Sequence, residues 1–430
     1  MTKIAFVGAG SVSFTRELLT DLFSYPELAG TLEIALHDID AGRLDTARRV
    51  AERLDSDKGA GATITTHADR RSAFDGCDFA INMVQVGMHE ATVKDFDVPG
   101  AHGLTQTIGD TLGVGGIFRA LRTIPVMLGI GEDLAAVAPD AWFLNYTNPM
   151  AILIQAYAEA SPHKQVVGLC HSVQNTTRQM AELAGIPFDD VTFTGAGVNH
   201  QAFILRFESP TGEDLYPLLD QAIAGDPELQ RRVRVEMYNK LGYFPTESSE
   251  HSSEYLPWFL RHPSEIERFR LEPREYVRRS LENLQEYDDV RAALDSGAPL
   301  PDERCYEYAP EIIHSMVTGT QRTIYGNVRN DGLIAQLPPQ SAVEVPILVD
   351  KTGLRPTIVR DYPPQLAALN RTFLNVADLT VRAALDGNPD HVRHAAMLDP
   401  NTAATLTLDE IDAVVTELLA AHAGALPAGL

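Results

Sequence analysis

The chain has 430 residues, 44% of them hydrophobic and 22% charged, with a formal net charge of −24. That is the composition of a globular protein of about two to three domains, and the acidic balance argues against nucleic acid or an anionic membrane surface as a partner. Three cysteines, Cys77, Cys170 and Cys305, form no disulfide framework, the first residues run into glycines without a leader pattern, and no uninterrupted apolar stretch appears long enough to span a bilayer, so a cytoplasmic protein is expected.

Residues 3–8 (KIAFVG) read as a buried strand, followed by a glycine turn and a helix over 15–24. A second strand is predicted over 32–38 and a second helix over 41–53. Further strands follow at 63–67, 78–84, 142–146 and 166–169, with a helix over 117–137. Strands alternating with helices predict an α/β fold with a doubly wound parallel sheet. After about residue 190 the alternation weakens into mixed helices and strands, which divides the chain into a dinucleotide-type domain over 1–190 and a mixed α/β domain over 191–430. Residues 264–295 are charged and helical, the face of a solvated element. From Pro363 onward apolar positions recur at helical spacing, and the Ala/Gly-rich end, 421–430, is expected to fray.

Gly8-Ala9-Gly10-Ser11 closes the first strand and opens a helix, with Ser13 at the third position of the fingerprint. Gly8 allows the tight turn, and Gly10 lets a pyrophosphate approach backbone N–H groups at the helix N-terminus. Asp38, at the end of the second strand, can accept hydrogen bonds from ribose hydroxyls, which favours NAD over NADP. The same residues would also serve as a glycine turn in any α/β fold. Asn145-Tyr146-Thr147-Asn148-Pro149 follows another strand, where open sheets collect ligands, although Asn-Pro is also ordinary turn chemistry.

Cys170-His171-Ser172 follows the strand at 166–169, and Asn199-His200 lies further on. A thiolate and an imidazole can hold a divalent cation and leave positions open for substrate oxygens. Spacing alone does not separate that pair from two buried structural residues. Three other segments are unusually polar: 106–116 (QTIGDTLGVGG) with Asp110, 246–255 (TESSEHSSEY) with Glu247, Glu250, His251, Glu254 and Tyr255, and 327–331 (NVRND) after an apolar strand. Each also reads as a solvated loop. His391 and His394 share a helical face without a third ligand.

Taken in order, GAGS, QTIGDTLGVGGIFRALRTIP, NYTNPMA, GLCHS, NH, GYFPTESSEH and YGNVRNDGLI resemble glycoside hydrolase family 4, with the nearest likeness to its bacterial α-galactosidase branch. The resemblance runs over essentially the whole chain. It implies a Rossmann domain followed by a mixed α/β domain, as in lactate and malate dehydrogenases. It also implies bound NAD, Mn2+, a glycoside substrate, and a homodimer or homotetramer. By motif match it implies Cys170 and His200 as metal ligands, Asn148 as a substrate contact and His171 at the proton donor's position, which is Asp in the phospho-glucosidase branch. Asp110 matches the acidic residue that activates a catalytic tyrosine, and Tyr255 is taken as that tyrosine. Arg329 and Asn330 are taken as further substrate contacts.

The resemblance implies an oxidative route, an exception to the usual pair of catalytic carboxyls. NAD takes hydride from C3, the resulting ketone acidifies the C2 proton, a base removes it, and the glycosidic oxygen leaves from C1. Water then adds and the hydride returns. Three rival functions are weighed against this. A 2-hydroxy-acid dehydrogenase would need a His–Asp pair and a substrate arginine, and would not need Cys170. An α-galacturonidase or α-glucosidase would differ only in the pocket, where Arg329 or Arg119 could favour a carboxylated sugar. A dinucleotide-sensing binding protein would keep Gly8, Gly10 and Asp38 without a metal site.

Overall fold

A computed structural model describes residues 1–430. Six strands form the parallel half of the sheet: β1 (Thr2–Val7), β2 (Leu32–His37), β3 (Thr63–His67), β4 (Phe79–Asn82), β5 (Trp142–Asn145) and β6 (Val166–Leu169). Their order in space is β3-β2-β1-β4-β5-β6, the doubly wound order in which the connections reverse direction beside β1. The strands inside this half are mostly apolar runs, as strands covered by helices on both faces require, whereas β3, at its edge, is TITTH and partly exposed.

The sheet does not stop at β6. It continues antiparallel through β7 (Thr192–Val198), β8 (Gln201–Glu208), β9 (Phe244–Pro245), β10 (Arg322–Arg329) and β11 (Ala342–Asp350), with β12 (Gly353–Pro356) paired to β11. β10 lies against β6, and β11 bridges β10 to β7. One hydrophobic core underlies both halves, from Ile4 to Val381.

The helix expected over 117–137 begins earlier and spans Gly113–Val137. By length and composition it could cross a membrane, but charged residues interrupt its apolar positions and 78% of its most apolar window is buried inside the protein. It carries Arg119, Arg122 and Asp133, and its own face joins a second, smaller core with the C-terminal helices Pro389–Leu398 and Leu408–Ala421. The chain end is not frayed. His422 is buried and stacked on Phe118, its Nε2 lies 2.9 Å from Asp95 Oδ1, and Leu426 and Leu430 pack on the same core. Apolar side chains in the tail, unremarkable among its Ala and Gly residues, hold it down.

Close packing on β6 makes a direct test. A Cβ on Gly168 would come within 2.4 Å of Met150 Sδ, 2.9 Å of Ile154 Cγ1 and 3.0 Å of Asn327 Cβ. Gly168→Ala should therefore lower stability by about 1–3 kcal/mol, the usual range for overpacking a core. Denaturant unfolding should show a lower midpoint, and an unchanged midpoint would mean that the helix Met150–Ala160 does not press on β6 this closely.

Candidate active site

The carboxyl ends of the parallel strands face one edge of the molecule, and the glycine turn lies there. Gly8 has φ 79°, and a Cβ on it would meet the backbone of Val84 at 3.0 Å. A Cβ on Gly10 would lie 2.6 Å from both Asp38 Oδ2 and Arg43 Cβ. The Gly10 N–H donates to Asp38 Oδ2 at 2.8 Å, and the Asp40 N–H donates to Oδ1 at 2.9 Å. Ser11 is exposed and heads the helix Val12–Leu22 without capping it through its side chain. The structure thus brings Gly8, Gly10, Ser11 and Asp38 together. The uncapped first turn offers N–H groups to an anion, and the carboxylate retains lone pairs for hydroxyl donors.

At the same edge stand three possible metal donors. Cys170 directly follows β6. His200 sits in the tight connection between β7 and β8, where Val198 pairs with Gln201. Glu247 follows β9. Cys170 Sγ is 3.5 Å from His200 Nε2 and 3.6 Å from Glu247 Oε1, and His200 Nε2 is 3.5 Å from Glu247 Oε1. Donors about 2.0–2.3 Å from one shared ion stand roughly this far apart. His200 is buried, and Cys170 and Glu247 are half-buried. His200 (φ 61°) and Glu247 (φ 67°) both occupy the left-handed backbone region. For a side chain other than glycine that conformation marks a local constraint, and such constraints gather at functional sites.

The electrostatics are those of a cation site. Burial pushes the Glu247 carboxyl up, but His200, His251 and His171 outweigh it and bring its pKa down to about 2. Burial, reinforced by the Glu247 and Glu344 carboxyls, holds the Cys170 thiol well above its ordinary value, so only a cation beside it makes a thiolate. Burial also raises Glu344, near the start of β11, to about 8, so that it adds little negative charge near the donors at neutral pH. His251 stands edge-on to His200 at 4.7 Å, with Nδ1 3.0 Å from Ser248 Oγ and 3.7 Å from Glu247 Oε2.

His171 is half-exposed beside Cys170, and its Nδ1 lies 2.9 Å from Glu307 Oε1. That hydrogen bond outweighs burial and raises the imidazole to about 9, so the ring is charged at neutral pH. Glu307 is itself held in place: its N–H and that of Cys305 each donate to a different oxygen of buried Asp21 at 3.1 Å. Asn148 lies beyond β5 in a cis peptide with Pro149. Its amide nitrogen donates to Asp110 Oδ2 at 3.4 Å, and its Oδ1 accepts the Met150 N–H at 3.2 Å.

The 106–116 segment is buried, not solvated. Glu254 accepts from the N–H groups of Thr107, Ile108 and Gly109 at 3.2, 2.7 and 3.0 Å, and so acts as the clamp on that loop. Asp110 reaches Thr111 and Asn148, and no hydrogen bond joins it to Tyr255. Tyr255 is buried behind the cluster, its ring 6.5 Å from that of His251 and its hydroxyl without a partner. Burial, then the Asp110, Glu247 and Glu254 carboxyls, push that phenol well above its ordinary value. A phenolate here needs a neighbouring cation.

Two expected substrate contacts are not at the site. β10 runs antiparallel to β6 with Gly326 opposite Leu169, so Arg329 emerges at the opposite edge of the sheet from Cys170. There it is exposed, pairs with Asp331 at 3.1 Å, and lines a charged cleft with Glu159 and Asp378. Asn330 is buried with its side chain fully used: its amide donates to the carbonyls of Ile334, Leu337 and Pro338, and its oxygen accepts the Ile334 N–H. Arg119 is buried and donates to the Asn148 carbonyl at 3.2 Å and to the Tyr276 hydroxyl at 2.9 Å. The sequence did not single out Glu247 as a donor or Glu307 as the partner of His171. Glu247 had been noticed only as one acid in a crowded polar segment.

The fold and this edge define the class first: an enzyme of the doubly wound α/β type. Residues 3–186 match the model of family 4 glycosyl hydrolases, and residues 195–402 match that family's C-terminal domain. The chain belongs to glycosyl hydrolase family 4 and is a glycoside hydrolase. It is 40% identical to an α-galactosidase of Bacillus subtilis, with 99% of both chains covered. It is 34% identical to an α-galactosidase of Rhizobium meliloti, over 99% of this chain and 89% of the relative. Among solved structures, the 6-phospho-β-glucosidase of Thermotoga maritima with manganese, NAD+ and glucose-6-phosphate superposes with a TM-score of 0.83 at 20% identity, covering 99% of this chain and 100% of that one. The malate dehydrogenase of Plasmodium falciparum in complex with NADH shares the fold at a TM-score of 0.51 and 13% identity, over 90% and 99% of the two chains.

The backbone at Glu247 gives a prediction. A left-handed conformation costs an L residue about 1–2 kcal/mol, whereas glycine adopts it freely. Glu247→Gly should therefore melt above Glu247→Ala, the reverse of the order expected at most positions. Thermal unfolding of both variants in metal-free buffer checks this, and a higher midpoint for the alanine variant would contradict the backbone described for residue 247.

Proposed function

We propose that the chain hydrolyses α-D-galactosides such as melibiose, with NAD and Mn2+ as resident cofactors. The observation that carries the reading is the Cys170–His200–Glu247 donor cluster set at the same sheet edge as the Gly8–Gly10 turn. Specificity for galactosides is supported by the names of the two relatives at 40% and 34% identity. The arginines that the sequence offered for a carboxylated sugar are committed elsewhere, Arg329 at the far edge and Arg119 to Asn148 and Tyr276.

The residues fit both cofactors. Gly8 and Gly10 close the turn against the uncapped helix Val12–Leu22, whose first N–H groups would hold a pyrophosphate, and Asp38 would accept from the ribose hydroxyls. Cys170, His200 and Glu247 form a mixed sulfur, nitrogen and oxygen donor set for one divalent ion. When bound, NAD+ supplies a hydride acceptor and Mn2+ a Lewis acid for the sugar oxygens.

The side chains of the chain do the rest. His171, held charged by Glu307 at Nδ1, has its other nitrogen free to give a proton to the departing glycosidic oxygen. Tyr255 takes the C2 proton. Its hydroxyl is buried without a hydrogen-bond partner, and the cation expected at the adjoining cluster counters the anions that otherwise hold it protonated. Asn148, oriented by Asp110 and the Met150 N–H, places a sugar hydroxyl.

Protein stripped of cofactors should release p-nitrophenol from its α-galactoside only after NAD+ and Mn2+ are both restored. The α-glucoside and α-galacturonide should be poorer substrates. Hydrolysis in D2O should place deuterium at C2 of the galactose. Full turnover in chelator, or preference for the galacturonide, would refute the metal assignment or the sugar assignment respectively.

A further inference from the structure

The loop ahead of the helix Gly113–Val137 places one hydroxyl between a carboxylate and a buried imidazole. Thr111 Oγ1 lies 2.9 Å from Asp110 Oδ1 and 3.0 Å from His200 Nδ1. All three side chains are buried. A carboxylate oxygen only accepts, and a hydroxyl has a single proton to give. Thr111 therefore donates to Asp110 and accepts the N–H at Nδ1 of His200. In the neutral ring, the form that can ligate a cation, the remaining nitrogen, Nε2, is then free of a proton. Nε2 is the atom that lies 3.5 Å from both Cys170 Sγ and Glu247 Oε1.

We propose that Thr111 is a positioning residue for the metal: a relay from Asp110 through the Thr111 hydroxyl fixes the tautomer and the orientation of His200, and so sets the affinity of the Cys170–His200–Glu247 cluster for a divalent cation. The inference rests on the metal reading above. The left-handed backbone at His200 fixes where its side chain begins, but not the rotation of the ring. Its nearest ring neighbour, His251, stands edge-on and is served by Ser248, so it does not supply the missing partner. Asp110 is itself tied to Asn148 through its other oxygen, so the relay joins the metal ligand to a group placed for the sugar. Removal of the hydroxyl would leave the Nδ1–H of His200 buried and unpaired, and the ring free to turn its lone pair away from the cluster.

The test titrates Mn2+ alone into metal-free full-length protein and follows the free ion by its electron paramagnetic resonance. Thr111→Val and Thr111→Ala should bind about 10–100-fold more weakly than the wild type, the range typical of a lost outer-shell partner. Thr111→Ser keeps the hydroxyl and should restore most of the affinity. NADH affinity, read by fluorescence, should be unchanged in all three variants, because none touches Gly8, Gly10 or Asp38. If the wild type binds Mn2+ and the Val and Ala variants bind it equally well, the relay is wrong and the metal site stands. A serine variant as weak as the valine variant would also overturn the relay, since the loss would then come from packing. A wild type that binds no Mn2+ overturns the metal reading and the relay with it.

Discussion

Two side chains at the site, those of His200 and Glu247, are carried on backbone that L residues avoid. The cost, about 1–2 kcal/mol at each position, is sustained only because the surrounding structure over-determines the conformation. At His200 the constraint is the ladder of β7 and β8, which closes at Val198 and Gln201 and leaves two residues to turn the chain. At Glu247 it is the pairing of Pro245 with Phe203 just before the turn.

The architecture divides the work between the two halves of the sheet. The parallel half delivers the glycine turn, Asn148 and Cys170 to one edge, because the carboxyl ends of parallel strands all lie on the same side. The antiparallel half returns to that edge with β7, β8 and β9 and brings His200 and Glu247. Longer connections add an outer layer of support. Asp21, on the helix that follows the glycine turn, grips the backbone at Cys305 and Glu307, and Glu307 grips His171. The helix that opens at the glycine turn therefore also holds His171 through two hydrogen-bonded steps.

The parallel half was legible in the sequence because buried strands are written as short apolar runs, and because the order Gly8, Gly10, Asp38 has a local cause. Cys170 and His200 were reached through the resemblance of long motifs, since a thiol and an imidazole on separate elements carry no spacing signal. Glu247 and Glu307 were not legible as partners, because each meets its histidine across a tertiary contact and not along the chain. Arg329 and Asn330 misled for a topological reason. Polar residues after an apolar strand point to a ligand edge only when that strand runs parallel to its neighbours, and β10 runs the other way. The chain end misled because a few apolar side chains in an Ala/Gly-rich tail are enough to dock it.

The function proposed above turns on a cation shared by sulfur, nitrogen and oxygen. The most direct measurement is X-ray absorption at the manganese edge on the loaded protein. The account predicts one sulfur in the first shell beside lighter atoms, and its disappearance in Cys170→Ser. A first shell of oxygen and nitrogen alone in the wild-type protein would contradict it.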